Sequence, residues 1–185
     1  FEPLFIVADD FVFVKRYERN SRSTSFKIRS CSFGSIDRSS SARLSLRLRV
    51  DTLENKQQYG IIRTQKGRRS WIGGTYRNGW IDGTIKELGN YTVGQDLKAP
   101  TITPLGANTW ISKQAFVFRL SDNLSGVQTY RGEIDGQYVL FEMNSKSVIT
   151  YKFDKERLKK GKHTLKLTVT DAAGNRSEYK YSFVW

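Results

Sequence analysis

The chain has 185 residues, 38% of them hydrophobic and 13% aromatic, and 31 Lys and Arg against 18 Asp and Glu give it a net charge of +13. No run approaches the ~20 apolar residues that cross a bilayer as a helix, and the single cysteine, Cys31, excludes an internal disulfide and a cysteine-built zinc site. The opening Phe1-Glu2-Pro3-Leu4-Phe5-Ile6-Val7, with no Met and no basic lead, reads as the interior of a longer protein and not as a secretory signal.

Length and hydrophobic content fit two domains, each with a modest core. In the first, Phe11-Val12-Phe13-Val14 and Phe26-Lys27-Ile28 read as strands, Cys31 as a small buried residue, and Ser35 to Ser41 as an exposed loop. Ala42, Leu44, Leu46, Leu48 and Val50 alternate with Arg43, Ser45, Arg47 and Arg49, which predicts a strand with one apolar face and one guanidinium face. Strands over Tyr59 to Thr64 and Ser70 to Ile72 follow, with a loop at Lys66 to Arg69 between them. A hairpin around Asn78-Gly79 leads into strands over Trp80 to Leu88 and Tyr91 to Val93.

The polar stretch Gln95-Asp96-Leu97-Lys98-Ala99-Pro100 marks a boundary, dividing the chain into a basic, Arg-rich β domain over 1–96 and a second domain over 97–185. Beyond it, Thr101 to Leu105 and Ala115 to Leu120 read as strands, and Asp135-Gly136 is a hairpin signal between Val127–Ile134 and Gln137–Met143. Ser147 to Phe153 makes another strand. Asp154 can cap one or two helical turns over Lys155 to Lys160, ended by Gly161. His163, Leu165, Leu167 and Val169, then Tyr179, Tyr181, Phe183 and Trp185, alternate with polar residues in the last two strands. About seven short strands in under 90 residues predict an immunoglobulin-like or fibronectin-like sandwich, so the fold class is all-β.

Catalysis finds little support. The one histidine, His163, falls on the inward parity of its strand, where packing is the plain reading, and no His-Glu-x-x-His, glycine-flanked serine or phosphate-binding glycine loop occurs. Asp122 and Asp171 each end an apolar strand before a glycine turn. Opposite strands of a sandwich would bring them to one pole, where calcium is conceivable but turn capping is the plainer chemistry.

Charge offers more. Residues 1–96 carry 17 basic and 10 acidic side chains, and 12 of the 17 are Arg, whereas only 4 of the 14 cations in 97–185 are Arg. Arg forks bind carboxylates and phosphates in pairs, so an anionic partner is expected on the first domain. The run from Lys66 to Trp80 interleaves cations with aromatics and suits stacking on sugars or bases, against a plain reading in which Trp71 and Trp80 are core. Arg43, Arg47, Arg49, Arg68, Arg69, Trp71 and Arg77 are therefore the expected partner- or anion-binding residues.

Three segments carry a family resemblance: Asp122-Asn123-Leu124-Ser125-Gly126-Val127, Tyr130-Arg131-Gly132-Glu133-Ile134-Asp135-Gly136-Gln137-Tyr138-Val139-Leu140-Phe141-Glu142, and Asp171-Ala172-Ala173-Gly174-Asn175. With Gly161-Lys162-His163 and the Leu88 to Pro100 junction, they resemble the C-terminal accessory β domains of lysostaphin-like zinc metallopeptidases of the bacterial envelope, over roughly 76–185. The resemblance implies an immunoglobulin-like domain behind a peptidoglycan peptidase, in the periplasm or at the outer membrane of a Gram-negative bacterium. That family's zinc-binding histidines and aspartate have no counterpart here, so no catalytic residue carries over. The implied role is non-catalytic, positioning an enzyme through protein or anionic envelope contacts. The alternative is a structural subunit of an outer-membrane, secretion or adhesion complex. A membrane surface is a possible partner, whereas nucleic acid lacks a recognition motif.

Overall fold

The structure, a computed structural model, describes residues 4–8, 11–15, 18–20, 23–27, 44–50, 54–86, 90–145 and 147–185, with the backbone alone for 4–27, 44 and 49. The expected loop over 35–41, Cys31, Ile28, Arg43 and Leu88 lie outside the described residues. The chain is all-β and forms two compact units, residues 1–97 and 98–185. Among the described residues no helix is long and apolar enough to cross a membrane.

The first unit contains β1 (Leu4–Ala8), β2 (Phe11–Lys15), β3 (Glu18–Asn20), β4 (Ser23–Lys27), β5 (Leu44–Arg49), β6 (Tyr59–Gln65), β7 (Arg68–Gly73), β8 (Thr75–Arg77), β9 (Trp80–Ile85) and β10 (Asn90–Gln95). They make two antiparallel sheets, ordered β2-β1-β5-β9-β8 and β3-β4-β10-β6-β7. Strand alternation sends Leu46, Leu48, Ile81 and Ile85 of the first sheet and Ile61 and Tyr91 of the second into one buried cluster. Gly83 lets the sheets approach, since a Cβ there would stand 2.7 Å from Ile61 Cδ1. The expected loop at Lys66 to Arg69 shrinks to Lys66-Gly67, because both residues take positive φ (49° and 78°) and close a two-residue hairpin that leaves Arg68 and Arg69 inside β7.

The second unit contains β11 (Thr101–Pro104), α1 (Trp110–Lys113), β12 (Ala115–Ser121), β13 (Val127–Ile134), β14 (Gln137–Val139), β15 (Glu142–Ser145), β16 (Val148–Lys152), β17 (Lys162–Asp171) and β18 (Arg176–Val184). Its sheets run β11-β12-β16-β15 and β14-β13-β17-β18, and both contribute to a single core that holds Phe116, Phe118, Ile149, Leu165, Leu167, Val169 and Phe183. Trp110 anchors that core, with Phe118, Tyr181 and Phe116 at ring distances of 5.0, 5.1 and 5.2 Å and its indole N–H donating to the Leu105 carbonyl at 2.8 Å. The strand expected over Gln137 to Met143 is in fact two strands in different sheets. Phe141 turns inward and is 2% exposed, carrying the chain from the edge of one sheet to the edge of the other. The helical turns expected over 155–160 reduce to one turn, capped by Asp154 Oδ1 accepting from the Glu156 and Arg157 amides at 3.0 and 3.4 Å, with Leu158 buried beneath it.

Gly132 faces the core of this unit with ordinary backbone angles, and a Cβ there would lie inside contact distance of the Phe141 ring. Gly132→Ala should therefore lower unfolding stability by about 1–3 kcal/mol through overpacking. Urea melts of the two proteins measure it, and coincident midpoints would contradict the packing described.

Candidate functional site

The pairing of β5 with β9 and of β9 with β8 builds the outer face of the first sheet. Arg47 stands opposite Asp82, Arg49 opposite Trp80, and on the other side of β9 Arg77 is opposite Trp80 and Thr75 opposite Asp82. One tryptophan thus lies in register between two arginine positions. The Arg47 Nε–H donates to Asp82 Oδ1 at 2.6 Å, and its guanidinium carbon lies 5.4 Å from the Trp80 ring centroid. The ion pair is half exposed, so it holds the side chain in place more than it stabilises the fold. Trp80 is partly buried and outside the buried cluster, so the reading of it as core gives way to a role as a platform for Arg47. A shallow depression of about 280 Å³ opens beside this pair.

Arg68, Arg69 and Trp71 belong to the second sheet. Trp71 pairs with Ile62 and lies over Gly60, where a Cβ would come within 2.5 Å of its ring. Gly60 and Ile62 alternate with the core residue Ile61, so Trp71 covers the outer face of its sheet and is not part of the core between sheets. Arg69 shares that outer face, with Nη2 3.3 Å from where a Gly94 Cβ would be. The expected binding residues are therefore divided between opposite faces of the unit. Arg47 and Arg77, with the Arg49 backbone, lie on one face, and Arg69 and Trp71 on the other. Arg43 lies outside the described residues, as does the Arg49 side chain.

In the second unit Asp122 and Asp171, from opposite sheets, bring carboxylate oxygens within 4.8 Å of each other. Asp122 Oδ2 accepts from the Leu124 and Gly126 amides at 2.9 and 2.8 Å, and Asp171 Oδ1 accepts from the Ala173 and Asn175 amides at 2.9 and 2.8 Å. Asp171 Oδ2 takes the Asn175 side-chain amide at 2.9 Å. Three of the four oxygens thus serve the turns, while Asp122 Oδ1 is buried without a hydrogen-bond partner. Those three oxygens act as turn caps.

Residues 7–96 match the Zu5-like domain family. The match lies within the unit that carries the Arg47 face and stops at Asp96, one residue short of that unit's end at Leu97. A search of curated proteins finds no match. Among solved structures, the chain is similar to the crystal structure of the Clostridium perfringens spore cortex lytic enzyme SleM, with a TM-score of 0.35 and 14% identity over 64% of this chain and 40% of that one. The chain thus spans well under half of that enzyme's length.

Sequence reasoning did not single out Asp82, Ser45 and Thr84, which complete the outer face of the first unit. Their signal was the alternation Trp80-Ile81-Asp82-Gly83-Thr84-Ile85, which places Trp80, Asp82 and Thr84 together once Ile81 and Ile85 are assigned inward. It also missed the partners of His163. The ring packs 5.5 Å from Phe183, Nδ1 meets Asp135 Oδ2 at 2.6 Å, and Nε2 meets the Lys159 carbonyl at 2.7 Å. Both partners are pure acceptors, so satisfying them takes a proton on each nitrogen. The Asp135 carboxylate raises the His163 pKa above 6.5, and the His163 hydrogen bond lowers that of Asp135 below 3.8.

A raised histidine pKa contributes stability that is fully present below 6.5 and lost as pH rises through the folded value, while the lowered aspartate pKa contributes stability lost only as pH falls below 3.8. Melting temperature should therefore hold between pH 3.8 and 6.5, decline as pH rises from 6.5 through the histidine's folded pKa, and level off above it. His163→Gln should abolish the decline on the alkaline side, and an unchanged pH profile in that variant would contradict the tie.

Proposed function

We propose that this chain is a non-catalytic accessory region of a cell-envelope peptidoglycan metallopeptidase, which it positions through anionic or protein contacts in the periplasm or at the outer membrane. The observation that carries this reading is the Arg47, Trp80 and Arg77 row on the outer face of the Zu5-like unit. It holds one guanidinium against a ring and a carboxylate and presents it outward. The envelope assignment rests on the sequence resemblance of residues 76–185 to the accessory domains of lysostaphin-like peptidases, in which the second unit would be the immunoglobulin-like spacer. Guanidinium groups fixed on a sheet recruit anionic polymers by charge and geometry together.

Co-sedimentation of the chain with purified sacculi tests this. Binding should be clear at low ionic strength, weaken with salt, and fall about tenfold or more in Arg47→Ala/Arg77→Ala, the loss expected for charge-assisted contacts. Equal sedimentation of the double variant would remove the face from the account.

A second reading, as a docking subunit of an envelope complex, is favoured by the edge of the second unit. There Tyr138, Leu140 and Met143 are 50%, 61% and 51% exposed in the passage from β14 to β15, beside a depression of about 220 Å³. Edges are ordinarily guarded by charge, and this one presents apolar side chains to solvent. Co-purification with envelope membrane proteins at fixed stoichiometry, lost in Leu140→Lys/Met143→Lys, would establish it. Recovery of the chain alone from the envelope fraction would contradict it.

A further inference from the structure

We infer that the depression between β5 and β9 is a subsite for a carboxylate-bearing sugar within a glycan chain. This deepens, and rests on, the reading of the Zu5-like unit as an envelope-docking module. The depression is lined by Ser45, Leu46, Arg47, Asp82, Gly83 and Thr84 and measures about 280 Å³, near the lower end of small-molecule sites (~300–1,000 Å³). It opens directly to solvent on a flat sheet. That shape suits one residue of a polymer lying across the strands better than an enclosed metabolite.

The chemistry of the lining selects the ligand. Arg47 spends Nε on Asp82, and its guanidinium carbon lies over the Trp80 ring, so the guanidinium is held before any ligand arrives. Among the described residues Nη1 and Nη2 have no partner, which leaves a two-pronged donor edge of the kind that takes both oxygens of a carboxylate. Asp82 Oδ2 is likewise without a partner among the described residues and can only accept. Ser45 and Thr84 face each other across the two strands and are exposed, adding two hydroxyls that both donate and accept.

A ligand matching this set needs an anion for Arg47 and, within a few ångströms of it, hydroxyl hydrogens for Asp82. A sugar carrying a carboxylate meets both requirements on one ring. A phosphodiester or polyphosphate does not, because it offers acceptors alone and would set its charge against Asp82. The excess of arginine in residues 1–96 supplies the long-range attraction, while Asp82 supplies the discrimination.

Titration calorimetry with the whole chain tests the subsite, using a galacturonic acid tetramer, its methyl ester and a short polyphosphate as probes. The tetramer should bind at least about tenfold more tightly than the ester, and Arg47→Lys should lose a similar factor because lysine cannot reproduce the paired contact. Asp82→Asn is the decisive variant. Generic attraction of anions would strengthen when this negative charge is removed, whereas the subsite predicts weaker tetramer binding. Ser45→Ala/Thr84→Ala, at exposed positions that leave the strand pairing intact, should weaken it as well. Tighter tetramer binding by Asp82→Asn, or polyphosphate bound as well as the tetramer, would overturn the subsite while leaving general anionic docking standing. Failure of every probe to bind, with sacculus binding retained, would overturn it too.

Discussion

Six consecutive residue pairs between β5 and β9 decide what the first unit is able to do. Side chains alternate strictly along a strand, so one register assigns Leu46, Leu48, Ile81 and Ile85 inward and Ser45, Arg47, Asp82 and Thr84 outward in the same stroke. A slip of one residue would bury the arginine and expose the leucines. The buried cluster therefore holds the register, and the register places Arg47 beside Asp82 and Trp80. Stability and the placement of Arg47 in this unit share one cause, and the half-exposed ion pair of small energetic worth aims a group that the core has already positioned.

The second unit is constrained differently. Its core is crowded with rings around Trp110, and close contacts such as that of Gly132 with Phe141 leave little slack for adjustment. Aspartates finish its strands: Asp122 and Asp171 gather the amides of their turns, Asp154 starts a turn, and Asp135 takes both the Thr164 amide at 2.8 Å and the His163 ring. These carboxylates make short connections rigid. The same unit leaves Tyr138 and Leu140 exposed where the chain crosses between sheets.

Much of this was legible in the chain. The alternation from Leu44 to Val50 and from His163 to Val169 announced two-faced strands, and Asn78-Gly79 and Asp135-Gly136 announced hairpins, because the positive φ of both turn residues is something few sequences supply. Lys66-Gly67 adopts the same turn with a lysine in the first place, so composition pointed to a longer loop there. The break at Leu140-Phe141 was hidden because a strand that changes sheets keeps its polar and apolar pattern, and only the burial of Phe141 shows the crossing. On the candidate site, the sequence singled out the arginines but not their separation onto opposite faces. That division depends on Arg47 and Arg69 lying in different sheets, which no local pattern records. Asp82, the partner of Arg47 on that face, was invisible until β9 had a partner.

The central claim is that the outer face of β5, β9 and β8 is where this protein meets its anionic partner. An amide NMR titration of the chain with solubilised peptidoglycan fragments reads this face directly. The account predicts shifts concentrated at Ser45, Arg47, Arg77, Trp80, Asp82 and Thr84. Shifts confined to residues 137–145 of the second unit, or to Arg69 and Trp71 on the opposite face, would contradict it.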